Sequence, residues 1–546
     1  MTKYNPILSQ NRINEMIESG LWSNLTILDY FKRAVSENPE KVAIISYMTE
    51  TGETIKITYK ELSESVTQIA KKLKKIGVKP RDVVSIQLPN WWHLTALHLA
   101  CISIGAVTNA LMPIFRYREL QFMLSLTESK ILFVPAFFRD FNYELMAHEL
   151  LDSIPTLEKI YVVGGKTQKS FEAHFKANQN ERHNLKEIQD SFINSNEVIQ
   201  LAFTSGTTGE PKAVMHTSNT LLGNINPFIK RSGLSASDLV LMASPLAHQT
   251  GFLYGLMMPI VLNTTAILQD VWNPEVAANL IEKERVTFTM ASTPFLSDLT
   301  QIAELNKYDL SSLKMFVTAG APIPRTLVRK AKTVIQADII SCWGMTENGG
   351  VTTTHRNDPE EKVFETDGTP INGMEVRIVD DDNKPISNGN EGRLQARGAA
   401  SFVGYFRRPE AFDSDKNGWF ETGDLAQMDN DGYIRISGRN KDVIIRGGEN
   451  IPVVEVEGMI YKHPDVVDVA IVAMPDNRLG ERCCAFIVLK PRKSLDLKKI
   501  VKFLVDQKIS KNYLPERVEF LDAMPRTPSG KIQKFKLREK ASKYLV

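Results

Sequence analysis

Between Thr204 and Lys212 the chain reads TSGTTGEPK. Gly206 and Gly209 let the backbone bend so that its N–H groups can converge on an anion. The hydroxyls of Thr204, Ser205, Thr207 and Thr208 add donors, and Lys212 closes the run with a compact positive charge. The composition is that of a phosphate cradle. A Walker-type loop places its lysine directly after the last glycine, whereas Glu210 and Pro211 intervene here, so a hydrolytic P-loop NTPase is set aside. VIQLAF, just upstream, has the pattern of a buried strand, and the end of a strand is where α/β proteins hold phosphates.

Other stretches carry residue types suited to the same chemistry. WGMTE, from Trp343 to Glu347, offers an aromatic plane for a base, the Thr346 hydroxyl and a hard carboxylate oxygen for Mg²⁺. WFETGDLA presents Asp424 after a glycine turn, where a carboxylate can accept from two neighbouring hydroxyls. SPLAHQTG carries His248, TAGAPIP carries Gly320, Ala321 and Pro322, GRNKD carries Arg439 and Lys441, RGGENIP carries Gly447 and Gly448, and PRTPSGKIQK carries Lys531. Singly, each has an ordinary reading: a lone histidine is usually structural, an aspartate in a turn solvated, a late lysine exposed.

Together, and in this order, the motifs resemble those of the acyl-adenylate-forming superfamily, in its acyl-CoA synthetase branch. The resemblance covers nearly the whole chain and implies ATP, Mg²⁺ and coenzyme A as cofactors and a small carboxylic acid as partner. It places the phosphates on Thr204 to Gly209 with Lys212, the adenine on Gly320, Ala321, Pro322, Trp343 and Gly344, and the α-phosphate on Thr346. It gives the metal to Glu347 and Thr204, the ribose to Asp424, a nucleotide contact to Arg439 and a hinge to Lys441. The acyl group goes against His248, with Gly251, Leu256, Met257 and Met258 behind it; small residues at Ala247, Gly251, Gly349 and Gly350 suggest an open pocket. Gly447 and Gly448 would guide the CoA thiol, and Lys531 would swing in to the carboxylate and α-phosphate during adenylation. Relatives usually carry tyrosine where this chain has Trp343, which removes any role for a phenol hydroxyl. GLW near Gly20, QLPNWW, TGFLYG and RLGERCCAFIVLK are most similar to bacterial short- to medium-chain acyl-CoA synthetases and cyclohexanecarboxylate-CoA ligases.

The elements that must position these residues are legible from periodicity. KVAIISYM and TIKITY flank a Thr51-Gly52 turn as a hairpin. Thr58 and Glu61 form a capping box for a helix running to Gly77. Strands at VVSIQL, AVTNAL and ILFVPA alternate with helices at 91–104 and 119–129, and a polar excursion follows from Phe171 to Asn196. Beyond the glycine loop, LVLMASP, TAILQ, FTMAS, LKMFVTAG and DIISCWG continue the alternation, which implies parallel sheets wrapped by helices. Around Glu375 the pattern turns to antiparallel strands; the last hundred residues return to mixed α/β, with a helix over 495–508. Trp91, Trp92 and His93 read as packing at the start of a buried helix. The expected class is α/β. A large N-terminal domain, 1–440, has two α/β lobes and a β-rich subdomain; a small hinged α+β domain, 441–546, follows a boundary at Asn440–Asp442.

At 546 residues with a net charge of +2 and interspersed signs, nothing marks a nucleic-acid surface or a polybasic membrane patch. No apolar run is long enough to span a bilayer, no secretory core opens the chain, and four cysteines without C-x-x-C spacing suit a reducing, cytoplasmic setting. An oligomer is compatible with this composition, which carries no signal for one. A carrier-protein-loading adenylation enzyme and a non-catalytic nucleotide binder are the alternatives; Lys212, Glu347, Asp424 and Lys531 together speak against the second.

Overall fold

The Thr51-Gly52 turn folds Val42–Tyr47 onto Thr54–Thr58 in antiparallel register. This hairpin does not join the strands that follow it in sequence. Ile44 to Tyr47 instead pair in parallel with Ala266–Gln269, so the first strands complete the sheet of the later lobe. The computed structural model describes residues 4–175, 194–204, 211–320, 323–439, 444–446, 449–476, 480–507, 509, 513–527 and 530–544. The expected boundary, Asn440–Asp442, lies outside them.

Two mainly parallel sheets carry the larger part of the chain. One has nine strands, built on Val240–Met242, Ala266–Gln269, Phe288–Ala291, Met315–Ala319 and Asp338–Met345. The other has six, built on Val83–Ile86, Val107–Ala110, Ser129–Pro135 and Lys159–Val163, and ends in the antiparallel pair Val198–Phe203 and Ala213–Thr217. The helix Trp92–Ser103 is buried at every position from His93 to Ser103, as a helix apolar all round must be. One continuous core joins it to residues of both sheets, including Val84, Ile86, Met242 and Leu268. Thr58 and Glu61 close the expected capping box of Tyr59–Lys75. Trp91 and His93 pack as expected: the Trp91 indole N–H donates to Asp270 at 3.2 Å, and His93 stands edge-on to Phe171 at 5.1 Å.

Three expectations need correction. The helix expected to reach Ser129 ends at Thr127, because Glu128 takes the left-handed conformation (φ 50°) and Ser129 begins a strand. The segment expected to be polar from Phe171 starts as a helix, Phe171–Phe175, whose two phenylalanines are buried against Phe133; residues 176–193 lie outside the described set. The expected helix over 495–508 spans Leu497–Asp506, with the Asp496 carboxylate accepting from Lys499 N–H at 2.8 Å.

The antiparallel stretch is a four-stranded sheet, Met374–Val379, Glu391–Gly398, Phe420–Met428 and Ile434–Arg439. The C-terminal stretch has its own sheet. Val466–Asp476 pairs antiparallel with Gly480–Leu489, which also pairs in parallel with Arg517–Phe520.

Candidate active site

The glycine loop lies between two strands, Val198–Phe203 and Ala213–Thr217, that pair antiparallel. Thr204 N–H donates to Lys212 C=O at 3.0 Å and closes its base. Ser205, Gly206, Thr207, Thr208 and Gly209 lie outside the described residues. Lys212 Nζ stands 4.6 Å from the centre of the Tyr405 ring, and the Tyr405 hydroxyl donates to Glu347 Oε1 at 2.7 Å. Burial and the Glu347 charge drive the phenol pKa up, so the hydroxyl keeps its proton and donates it.

Glu347 is buried at 7% exposure and its carbonyl accepts from Phe402 N–H at 2.8 Å. One residue earlier, the Thr346 carbonyl lies 2.8 Å from His216 Nε2. Burial pushes the His216 pKa down to about 4, so a neutral ring with its proton on Nε2 donates to that carbonyl and fixes the turn carrying Thr346 and Glu347. Trp343, 8% exposed, donates its indole N–H to Asp424 Oδ2 at 2.9 Å, and Asp424 is itself 6% exposed. The residue expected to stack on a base is therefore tied at its edge to the carboxylate expected to hold a ribose. Asp424 follows Gly423 (φ 75°) and lies across the strand pair from Arg439, whose side chain is outside the described residues. Gly320, at φ 77°, ends Met315–Ala319. Gly344 is required by packing, since a Cβ there would meet Gly349 O at 2.1 Å.

The loop bearing His248 is held by Asn90. The Asn90 amide donates to the carbonyls of Ser244 at 2.9 Å and Gln269 at 3.1 Å, and its oxygen accepts from Leu246 N–H at 2.8 Å. His248 Nδ1 accepts from Thr250 N–H at 3.4 Å. Burial and the Lys531 charge push its pKa down to about 4, which leaves a neutral ring with Nε2–H as donor. The pocket wall differs from expectation. Leu256, Met257 and Met258 belong to the core, and Leu253 and Tyr254, in the π-helical stretch Phe252–Met257, face the cleft instead. Extra backbone turns of this kind recur at functional sites. Nor do the small residues open space: a Cβ on Gly251 would meet Pro245 O at 2.1 Å, one on Gly349 the Asn224 amide at 2.7 Å, and one on Gly350 the Tyr254 hydroxyl at 2.7 Å.

Lys531 comes from the C-terminal stretch into the same cleft. Thr527 N–H donates to Lys531 C=O at 2.7 Å, and Lys531 N–H to Thr527 Oγ1 at 3.0 Å. Gly530, at φ 84°, lets this turn press against Ser292. A cleft of about 1620 Å³ is lined by Thr204, Lys212, His248, Gly320, Trp343 and Gly344, and equally by Thr346, Glu347, Asp424 and Lys531. Ala321, Pro322, Lys441, Gly447 and Gly448 fall outside the described residues. Tyr405, His216 and Asn90 went unnoticed in the sequence because each acts through a partner distant in the chain; the glycine before Tyr405 in FVGYF was the only local sign.

Two lysines, a buried carboxylate, an anchored aspartate and a neutral histidine around one cavity define an enzyme that gathers anionic groups and activates one of them. Comparison with known proteins agrees. The family model "AMP-binding enzyme" matches residues 31–406, and "AMP-binding enzyme C-terminal domain" matches residues 455–531. A medium-chain fatty-acid–CoA ligase of Escherichia coli (strain K12) is 35% identical over 525 residues, 96% of this chain and 91% of that protein. A 2,3-dihydroxybenzoate-AMP ligase of Bacillus subtilis (strain 168) is 30% identical over 539 residues, 97% and 96% of the two chains. Among solved structures, ATP-bound MatB from Rhodopseudomonas palustris superposes with a TM-score of 0.82 at 25% identity, covering 94% of this chain and 99% of its own. The chain belongs to the AMP-binding enzyme family, and its fold is that of adenylate-forming ligases. Among the described residues no helix is long and apolar enough to cross a membrane.

Proposed function

We propose that this enzyme joins a carboxylic acid of medium-chain size to coenzyme A at the expense of ATP, releasing pyrophosphate and AMP. The observation that carries the reading is the convergence of Lys212 and Lys531, more than three hundred residues apart in the chain, on the cleft that also holds Glu347, Asp424 and His248. The relative with 35% identity acts on medium-chain fatty acids, and this supports the acid's size class. The four cysteines are free and buried, which suits a cytoplasmic setting.

A carboxylate does not react with a thiol at neutral pH, because oxide is a poor leaving group. In the first step the acid's oxygen attacks the α-phosphorus of ATP and the bond to pyrophosphate breaks. Two anions must meet for this, so positive charge at the meeting point lowers the barrier most. Lys531 neutralises the carboxylate and α-phosphate, and Lys212 with the 204–209 loop takes the outer phosphates. Glu347, with the Thr204 hydroxyl, suits Mg²⁺, which takes one or two carboxylates and fills its shell with phosphate and water; bound there it would offset phosphate charge. Neutral His248 offers Nε2–H towards the acyl end without adding a charge that would trap the acid. Asp424 takes the ribose hydroxyls.

In the second step the CoA sulfur attacks the acyl carbonyl and AMP leaves with the bonding electrons. The C-terminal part, 441–546, would turn about Lys441, withdraw Lys531 and present Gly447 and Gly448 to the pantetheine arm. Nucleotide products are to be measured with ATP, Mg²⁺ and a panel of C2 to C12, alicyclic and aromatic acids, with and without CoA. AMP that accumulates only with both acid and CoA is expected, strongest for C6 to C10. Acid-dependent pyrophosphate exchange that CoA does not turn over would mean an enzyme that loads a carrier protein; ADP would overturn the reading.

A further inference from the structure

We propose that the ring of Tyr254 ends the acyl site, so that it sets the longest acid the enzyme accepts and requires that acid to finish in an apolar group. The inference rests on the acid-ligase reading of the cleft and deepens it.

His248 caps the short helix Gln249–Gly251, which continues into the π-helical stretch Phe252–Met257 bearing Tyr254. Six residues separate the two, roughly 9 Å of helical rise, and both line the cleft. Beyond Tyr254 the space is filled. Phe228 packs on its ring with centroids 4.6 Å apart, and Phe288 stands edge-on to Phe228 at 6.2 Å. Both phenylalanines are 0% exposed. Alternate residues of a strand share a face; along Phe288–Ala291, Met290 lines the cleft while Phe288 packs into this aromatic cluster. One strand face therefore runs from cleft into core beside Tyr254.

The Tyr254 hydroxyl is committed on both sides. It donates to Asn224 Oδ1 at 2.6 Å and accepts from Gly350 N–H at 3.1 Å. The Asn224 amide hydrogens go to the carbonyls of Gly350 at 2.8 Å and Asn348 at 3.2 Å. Burial drives the phenol pKa far up, so the proton stays on oxygen. The helix Ser218–Ser232 and the strand Gly349–Thr353 thus lock the ring from two directions. Every hydrogen of the phenol and the amide is used in that lock, which leaves the carbon surface of the ring, beside Leu253 and Met290 on the cleft wall, for an incoming chain. A methyl end finds a matching surface there. A hydroxyl end would give up its water against carbon.

The test measures kcat/KM for acid-dependent AMP release, with ATP, Mg²⁺ and CoA, over straight-chain acids from C6 to C16 and their ω-hydroxy counterparts. Wild type should show a sharp upper limit, and at the longest accepted length the ω-hydroxy acid should be poorer by about ten- to a hundredfold. Tyr254→Phe keeps the ring and should hold the same limit. Tyr254→Ala should raise the ratio of acids beyond the limit to acids within it by about tenfold or more. By baring Asn224 and the Gly350 N–H it should also shrink the ω-hydroxy penalty. Tyr254→Leu should move the limit in the same direction and serves if the alanine variant does not fold. A limit that neither smaller side chain moves, or a wild type indifferent to the ω-hydroxyl, would overturn Tyr254 as the end of the site and leave the ligase reading intact. A wild type that releases AMP with no acid of the panel would overturn the ligase reading, and this inference with it.

Discussion

Gly530 lies so close to Ser292 that a Cβ on the glycine would stand 2.4 Å from the serine Oγ. The contact joins the turn that carries Lys531 to the start of the helix Thr293–Glu304, and Tyr461 adds a hydroxyl contact to Ser297 at 3.4 Å. Lys531 reaches the cleft because its neighbour has no side chain.

Gly530→Ala combines this clash with a left-handed φ that alanine resists. Acyl-adenylate formation should drop about tenfold or more, since a displacement near 1 Å is enough to lose that much. Thioester formation from supplied acyl-AMP should stay within about twofold of wild type, because in the proposed mechanism Lys531 has withdrawn by that step. Lys531→Ala should show the same split. Equal losses in both half-reactions would refute it.

Stability should fall as pH drops through the range in which the unfolded chain's histidines titrate. His93 and His98 have pKa values near 3 and His216 near 4, all lowered by burial. Unfolded, each would titrate at about 6.5. Below that pH the unfolded state takes up protons that the fold refuses, so stability rises with pH between about 4 and 6.5 and is level in this contribution above 7. At pH 5 the loss is about 2 kcal/mol per buried imidazole. Thermal unfolding followed from pH 7.5 to 5 should show a falling midpoint; a midpoint that holds or rises would contradict neutral burial.

Asn90→Ala should be among the costlier single changes outside the cleft. Its amide satisfies two carbonyls and an N–H, all buried between the two sheets. Stranding them should cost about 2–4 kcal/mol and loosen the loop bearing His248. Chemical denaturation measures the first effect. A rise in KM for the acid larger than that for ATP measures the second.

Where sequence and structure agree, the residues announced themselves by local chemistry. The Thr58–Glu61 capping box, the Thr51-Gly52 hairpin and the strand-helix alternation are short-range patterns. So were the motifs around Lys212, Glu347, Asp424 and Lys531, which the fold brings to one cleft. What was not legible depended on long-range closure. Nothing in KVAIISYM says that it will pair with Ala266–Gln269, and the excluded volume at Gly251 or Gly350 belongs to backbone and side chains elsewhere in the chain. Glycines that seemed to open a pocket are small because something else already fills the space.

The tryptophan at 343 makes the sharpest case. The sequence offered it only as a plane for adenine, yet its N–H is bonded to Asp424 Oδ2 at 2.9 Å in a buried setting. A bond from a neutral donor to a carboxylate is worth roughly 1.5–3 kcal/mol, and here it helps hold the aspartate in place for the ribose hydroxyls it is proposed to take. Trp343→Phe keeps the plane and loses the donor. KM for ATP should rise about five- to tenfold with kcat within about twofold, because a bond present before and during reaction contributes to binding alone. The penalty should shrink towards nothing for a nucleotide lacking both ribose hydroxyls, which has no use for an oriented Asp424. If that analogue suffers the same penalty as ATP, the indole acts through stacking and not through the aspartate.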